Sequence, residues 1–224
     1  MPFILASSYQ FTASKSGQSL VQLGLNSKNS FEPSIIFNDT KGNTLLLNFP
    51  TYIEVFKLLE QNHFFFASDS AVVLLSHFPS KFVNKFLFQF DVINQVITVE
   101  VDQQILFTIN TGFWYELCLY KDIFNIQLTL LSKYALYAKV LYSRFVSFLI
   151  NQTSAPSSNL LMCAPTSLIP EHKYLKVDFS DYDTSICQLL DAEIRHYCID
   201  EIIQESTAAR ENQSYIHNSF HTKI

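Results

Sequence analysis

Glycine is scarce, with four residues in a chain of 224. Loops that cradle phosphates use glycine to let the backbone approach the anion closely. Neither Gly-x-Gly-x-x-Gly nor Gly-x-x-x-x-Gly-Lys-Ser/Thr occurs. Gly-x-Ser-x-Gly and His-Glu-x-x-His are missing as well, so the chain reads as a protein without catalysis and without a cofactor. Cysteine is equally thin: Cys118, Cys163, Cys187 and Cys198 are scattered, with no Cys-x-x-Cys. That excludes a disulfide framework and reads as reduced thiols. No apolar run approaches the roughly 18 to 20 residues of a membrane span, because Glu60, His63, Asp69 and His77 interrupt Leu58 to Phe78. The opening Met-Pro-Phe-Ile-Leu-Ala-Ser-Ser has no basic residue and too short an apolar segment for a signal peptide. The expectation is an intracellular protein, in nucleus or cytoplasm, with no membrane association.

Hydrophobic residues make up 48% of the chain and charged ones only 16%, a balance that places it among globular proteins. The net charge of -5 is uneven. Residues 1–150 hold ten Lys plus Arg and ten Asp plus Glu, whereas residues 151–224 hold five and ten. A neutral body with an acidic extension excludes a strong duplex-DNA binder, whose affinity comes from Lys and Arg displacing counterions.

Alternation and turn chemistry predict strands at Ser19-Leu-Val-Gln-Leu-Gly-Leu and Pro33-Ser-Ile-Ile-Phe. Asp39-Thr-Lys-Gly-Asn43 then turns the chain into Thr44-Leu-Leu-Leu as a β-hairpin. Asn48 or Thr51, with Pro50 close by, starts a helix carrying Ile53, Phe56 and Leu59. The same order follows again. Lys85 to Asp91 is a strand with Phe86, Phe88 and Phe90 on one face, Gln95 to Asp102 alternates, and Asp102-Gln-Gln turns into Ile105 to Asn110. Thr111-Gly-Phe-Trp begins a second helix. An offset of 62 aligns Ile35 with Ile97, Leu47 with Ile109, Asn48 with Asn110, Tyr52 with Trp114 and Glu54 with Glu116. The expected fold class is α+β: two strand-turn-strand-helix units, about 19–66 and 85–128, forming antiparallel sheet backed by helices.

A long amphipathic helix follows to residue 150, with Leu131, Tyr134, Tyr137, Leu141, Phe145 and Phe148 in one stripe. That stripe is core, or a partner or homodimer interface formed by Tyr134, Tyr137, Leu141, Phe145 and Phe148. Residues 1–150 therefore form the body. Residues 151–224 form an acidic extension, comprising a polar linker at 151–159, a short strand at Tyr174 to Phe179, a helix over Ser185 to Gln204 and a polar tail.

Three groups of residues invite chemistry. Asp178, Asp181 and Asp183 have the oxygen ligands for Mg²⁺, but as a group they read better as a solvated loop or helix start. Cys187, His196 and Cys198 match no zinc spacing, which leaves no metal site. Cys118 would be a nucleophile beside a histidine; flanked by Leu117 and Leu119 on an aromatic helix, it reads as core.

The run Pro33-Ser-Ile-Ile-Phe-Asn-Asp-Thr-Lys-Gly-Asn-Thr-Leu-Leu-Leu-Asn-Phe-Pro-Thr-Tyr-Ile-Glu-Val-Phe resembles the strand, Lys-Gly turn, strand, helix core of the Positive Cofactor Four coactivators and of the PUR-alpha repeats. The Whirly proteins share the plan. The resemblance covers about 45 residues in each unit and implies a curved antiparallel sheet that binds single-stranded nucleic acid, with two units in one chain imitating the families' dimer. It implies Lys41, Asn43, Lys85, Gln89, Gln95 and Gln103 as contacts to phosphates or base edges. The basic density of such sheets is missing here, and Phe86, Phe88 and Phe90 read as core rather than stacking residues. The expected function is therefore binding of single-stranded DNA or RNA, or a transcription-associated role. The alternative is a protein-interaction or scaffold factor, viral or accessory, acting through the aromatic helix or the acidic tail.

Overall fold

The computed structural model describes residues 3–11, 19–39, 41–67, 78–164 and 183–221. Four strands come first: β1 (Phe3–Phe11), β2 (Ser19–Asn26), β3 (Glu32–Asn38) and β4 (Thr44–Asn48), followed by α1 (Phe49–Gln61) and the short α2 (Phe64–Ala67). Four more repeat the plan: β5 (Lys81–Val83), β6 (Phe86–Asp91), β7 (Val96–Val101) and β8 (Gln104–Asn110), leading into α3 (Thr111–Ile150). Each set forms its own sheet with neighbours in sequence order, β1-β2-β3-β4 and β5-β6-β7-β8. The α+β class holds, and each unit gains strands that alternation alone did not mark, β1 in the first and β5 in the second.

The repeat is visible in the register. Ser34 faces Asn48, Ile35 faces Leu47, Ile36 faces Leu46 and Phe37 faces Leu45. Sixty-two residues on, Val96 faces Asn110, Ile97 faces Ile109, Thr98 faces Thr108 and Val99 faces Phe107. Beyond the fourth pair the two units differ. The β3–β4 connection is a five-residue loop over 39–43, whose Asp39 Oδ1 accepts from the Lys41 and Asn43 amides at 2.8 Å each. Gly42 there takes φ +82 with open space around it, a conformation that a side chain would strain. The β7–β8 connection is instead a two-residue turn at Asp102 and Gln103, both at positive φ, the hand that matches strand twist. A register shift between Val99 and Glu100 takes up the difference.

Both helices begin on the same device. Asn48 Oδ1 accepts from the Thr51 amide at 3.1 Å, and Asn110 Oδ1 accepts from the Phe113 amide at 2.9 Å. Each satisfies one of the orphan donors of a first helical turn.

The chain divides into two compact units. One consists of residues 6–24 and 32–131, the other of residues 1–5, 25–31 and 132–224. In the first, the inner faces are aromatic: Phe11 meets Phe113 at 5.3 Å and lies nearly parallel to Tyr120, and Phe37 meets Phe107 at 6.2 Å. Phe86 and Phe88 are buried, and Phe90 packs against Phe65 and Phe78, so this row is core as expected.

The second unit contains the later part of α3 with α4 (Ser158–Met162), α5 (Thr184–Tyr197) and α6 (Ile199–His221). No break separates a repeat helix from a long amphipathic one; α3 is a single helix of 40 residues. Its stripe is used within the chain. Tyr134, Tyr137, Leu141 and Phe145 are buried and Phe148 is half-buried, so the core reading replaces the partner-interface reading for these five residues. Their cover comes from α5 and α6. The Arg195 guanidinium lies 4.5 Å over the Phe145 ring, Tyr142 donates to Glu205 at 2.9 Å and Ser206 donates to the Val146 carbonyl at 3.3 Å. The segment after α3, expected as a linker, is held by Arg210, which donates to the carbonyls of Leu149, Ile150, Gln152 and Ser154. That anchorage carries α6 to His221, past the Gln204 end that polarity suggested. The expected strand at Tyr174 to Phe179 lies outside the described residues.

Two stability outcomes follow from these contacts. Asn48→Ala and Asn110→Ala should each cost about 1 kcal/mol and add in the double variant, read as midpoint shifts in urea unfolding; a cost confined to one position would count against equivalent caps. Arg195 is buried and satisfies Asp191 at 3.0 and 3.1 Å together with the Leu161 and Ala164 carbonyls at 2.7 and 3.1 Å. Arg195→Met, which leaves those acceptors unpaired, should cost about 3 kcal/mol by the same measurement.

Candidate nucleic-acid interface

An antiparallel sheet backed on one side presents its other side to ligands. The first sheet does so only in part, because Ser34, Ile35, Ile36 and Phe37 are all buried and β3 is therefore covered on both faces. The second sheet keeps one face open. Across it run two rows of opposed residues: Phe82, Leu87, Glu100 and Ile105, then Gln89, Thr98 and Thr108. Phe82 is 73% exposed and Ile105 57%.

The six expected contacts are dispersed. Lys85 and Gln103 are exposed in the β5–β6 and β7–β8 turns, at one end of the second sheet. Gln95 lies in the β6–β7 turn at the other end, with φ +51. Gln89 lies on the open face, where its amide donates to Glu100 at 3.2 Å. Lys41 and Asn43 belong to the loop of the other sheet, and Asn43 is committed to Asp39 through its own side chain at 2.8 Å. The six therefore do not make one cluster, although Lys85, Gln89, Gln95 and Gln103 all belong to the second sheet, with Gln95 at its opposite end. Lys81, opposite Phe88, lies on the backed side.

Phe82 is the residue that sequence reasoning missed. A strand of three residues is too short for alternation to register, yet Lys81-Phe82-Val83 carries the signal: Val83 is buried opposite Phe86, and the residue before it therefore points outward.

A cavity of about 420 Å³ lies elsewhere in the same unit, lined by Glu60, His63, Phe66, Trp114, Tyr115 and Cys118. Cys118 is exposed rather than core: on a helix, Leu117 takes the buried position and the next two residues turn outward. Partial desolvation nevertheless raises its thiol above the ordinary value, the Glu60 carboxylate adds to the rise, and Lys121 opposes it. His63 Nδ1 is engaged with the Glu60 carbonyl at 2.9 Å. A thiol held protonated is a poor nucleophile. Beside this group the buried Tyr52 hydroxyl has no hydrogen-bond partner among the described residues, and burial, then Cys118, Glu60 and Asp122, push its phenol well up.

The other candidates find structural places. Asp183 caps α5, accepting from the Ser185 amide at 2.7 Å, while Asp178 and Asp181 lie outside the described residues. Cys187 and Cys198 are buried, and burial, then Glu201, push the Cys198 thiol up to about 12. No group of three His, Cys, Asp or Glu suited to a metal occurs among the described residues. No helix among them is long and apolar enough to cross a membrane.

Alkylation of Cys118 by iodoacetamide should show a midpoint above the ordinary thiol range, since only the thiolate reacts and the neutral form is favoured. Glu60→Gln should lower that midpoint; a midpoint at or below the ordinary range in the wild type would contradict the geometry. Searches against protein-family models, characterised proteins and solved structures find no match to this chain.

Proposed function

We propose that the chain is a non-catalytic single-stranded nucleic-acid-binding protein whose ligand lies on the open face of the second sheet. The observation that carries this reading is Phe82, a large aromatic side chain standing out of an open sheet face, where a base would stack. Base–aromatic stacking contributes roughly 1 to 3 kcal/mol per base and tolerates any sequence. Around it, Gln89, Thr98 and Thr108 supply neutral polar groups, and Lys85 and Gln103 stand at the turn end to meet phosphates. The doubled sheet-and-helix plan supports the same reading through its resemblance to the Positive Cofactor Four, PUR-alpha and Whirly folds. That support is analogy at the level of fold.

The electrostatics make the mode of binding specific. The two rows of the open face include one acid, Glu100, and no Lys or Arg, so stacking rather than counterion release drives association. Single strands lose affinity with a slope of about -0.7 in log salt for each phosphate contact. One or two contacts therefore give a shallow dependence.

Fluorescence anisotropy with labelled single-stranded DNA and RNA tests this. The expected result is weak binding with a log–log salt slope between about -0.7 and -1.4, a loss of about tenfold in Phe82→Ala, a few-fold loss in Lys85→Glu and no change in Lys41→Glu. Absence of binding at low salt, or affinity untouched by Phe82→Ala, would overturn the proposal.

A further inference from the structure

The first half of α3 is apolar on two opposite sides. One side, Phe113, Leu117, Phe124, Leu128 and Leu131, is buried against the chain's own strands and neighbours. The other carries Tyr115, Leu119, Ile123, Ile126 and Leu130, all exposed, with Leu119 at 78% and Ile126 at 62%. At about 100° per residue these five side chains fall within roughly 80° of one another, along roughly 24 Å of helix. Isolated exposed apolar residues are ordinary; a continuous helical stripe of five is an interaction surface.

We propose that this stripe is the interface of a homodimer in which two copies of α3 pack antiparallel about a two-fold axis between Ile123 and Ile126. Three observations select a second copy. The spacing is self-complementary: Leu119, Ile123, Ile126 and Leu130 follow steps of four, three and four, the seam of a two-helix coiled coil. With the axis at its centre, Leu119 meets Leu130 of the other copy and Ile123 meets Ile126, so each apolar layer is matched and none faces a gap.

Charge sets the direction. Glu116 precedes Leu119 by three residues, and Lys133 follows Leu130 by three, the next seam positions outward at either end. An antiparallel pair sets Glu116 opposite Lys133 twice, whereas a parallel pair sets like against like at both ends. The area suffices as well. The stripe exposes on the order of 500 Å², and closing it on a second copy buries about 1,000 Å² in total, the lower bound of a specific interface. The stripe at Tyr134 to Phe148, which the sequence left open as core or partner interface, lies on later turns of the same helix and is buried or half-buried.

Sedimentation equilibrium on the full chain tests the inference without any nucleic acid. The wild type is expected to dimerise with a concentration-dependent midpoint, and Leu119→Lys or Leu130→Glu alone to shift it to monomer. The double variant, whose introduced charges face each other only in the antiparallel register, is expected to dimerise again. Both positions are exposed, and unchanged far-ultraviolet circular dichroism melts show that the single variants stay folded. A wild type monomeric at its highest soluble concentration, a folded Leu119→Lys that remains dimeric, or a double variant that stays monomeric would each overturn the proposal.

Discussion

One ring ties the two sheets together. Phe113 meets Phe11 of β1 at 5.3 Å, Phe37 of β3 at 5.4 Å and Phe107 of β8 at 5.2 Å, and it is almost completely buried. Its backbone amide is also the donor that Asn110 accepts to start the helix. The cap that sets the direction of α3 therefore also sets the ring on which both sheets converge. Edge-on and tilted aromatic pairs of this kind add about 0.5 to 1.5 kcal/mol each beyond the area they bury. The equivalent position in the first repeat, Thr51, is small and polar, and its hydroxyl accepts from the Asn84 amide at 2.9 Å. The two repeats thus share a backbone and use its best-placed position in different ways.

That division runs through the rest of the structure. The first sheet is covered on both faces at β3 and acts as core, while the second retains an open face with an outward phenylalanine and neutral polar neighbours. The shared plan is therefore put to two structural uses: the first sheet belongs to the core at β3, and the second keeps one face exposed. The lysines follow the same logic, since Lys41 and Lys85 are placed at turns, where a charge keeps its hydration at no cost to packing.

Local chemistry was legible in the residues themselves. Asp39 to Asn43 marked a hairpin, Asn48 or Thr51 marked one helix start and Thr111 the other, because turns and caps are decided within four or five positions; that Asn110 caps the second helix came from the structure. The offset of 62 was legible because the order strand, turn, strand, helix recurs in phase at that spacing, although the two turns differ in length. What alternation and periodicity could not settle was which apolar face is covered. Leu117 and Leu119 are equally apolar, and only the packing of the whole unit decides that one is buried and the other exposed. The same ambiguity made Tyr134 to Phe148 resemble a docking surface and Cys118 resemble core. The extent of α6 was hidden differently, since a polar helix held by one arginine on distant carbonyls has no local signature.

The unit that contains the later helices also includes residues 1–5 and 25–31. Within it the Leu5 amide donates to Glu193 at 2.5 Å, across 188 positions of sequence. A ribosome delivers these partners in the wrong order for early closure: the first residues emerge while the carboxylate that receives them is still unwritten in the nascent chain. That end of β1 gains this partner only once residue 193 has been synthesised. The sheet unit, complete by residue 131, has no such delay.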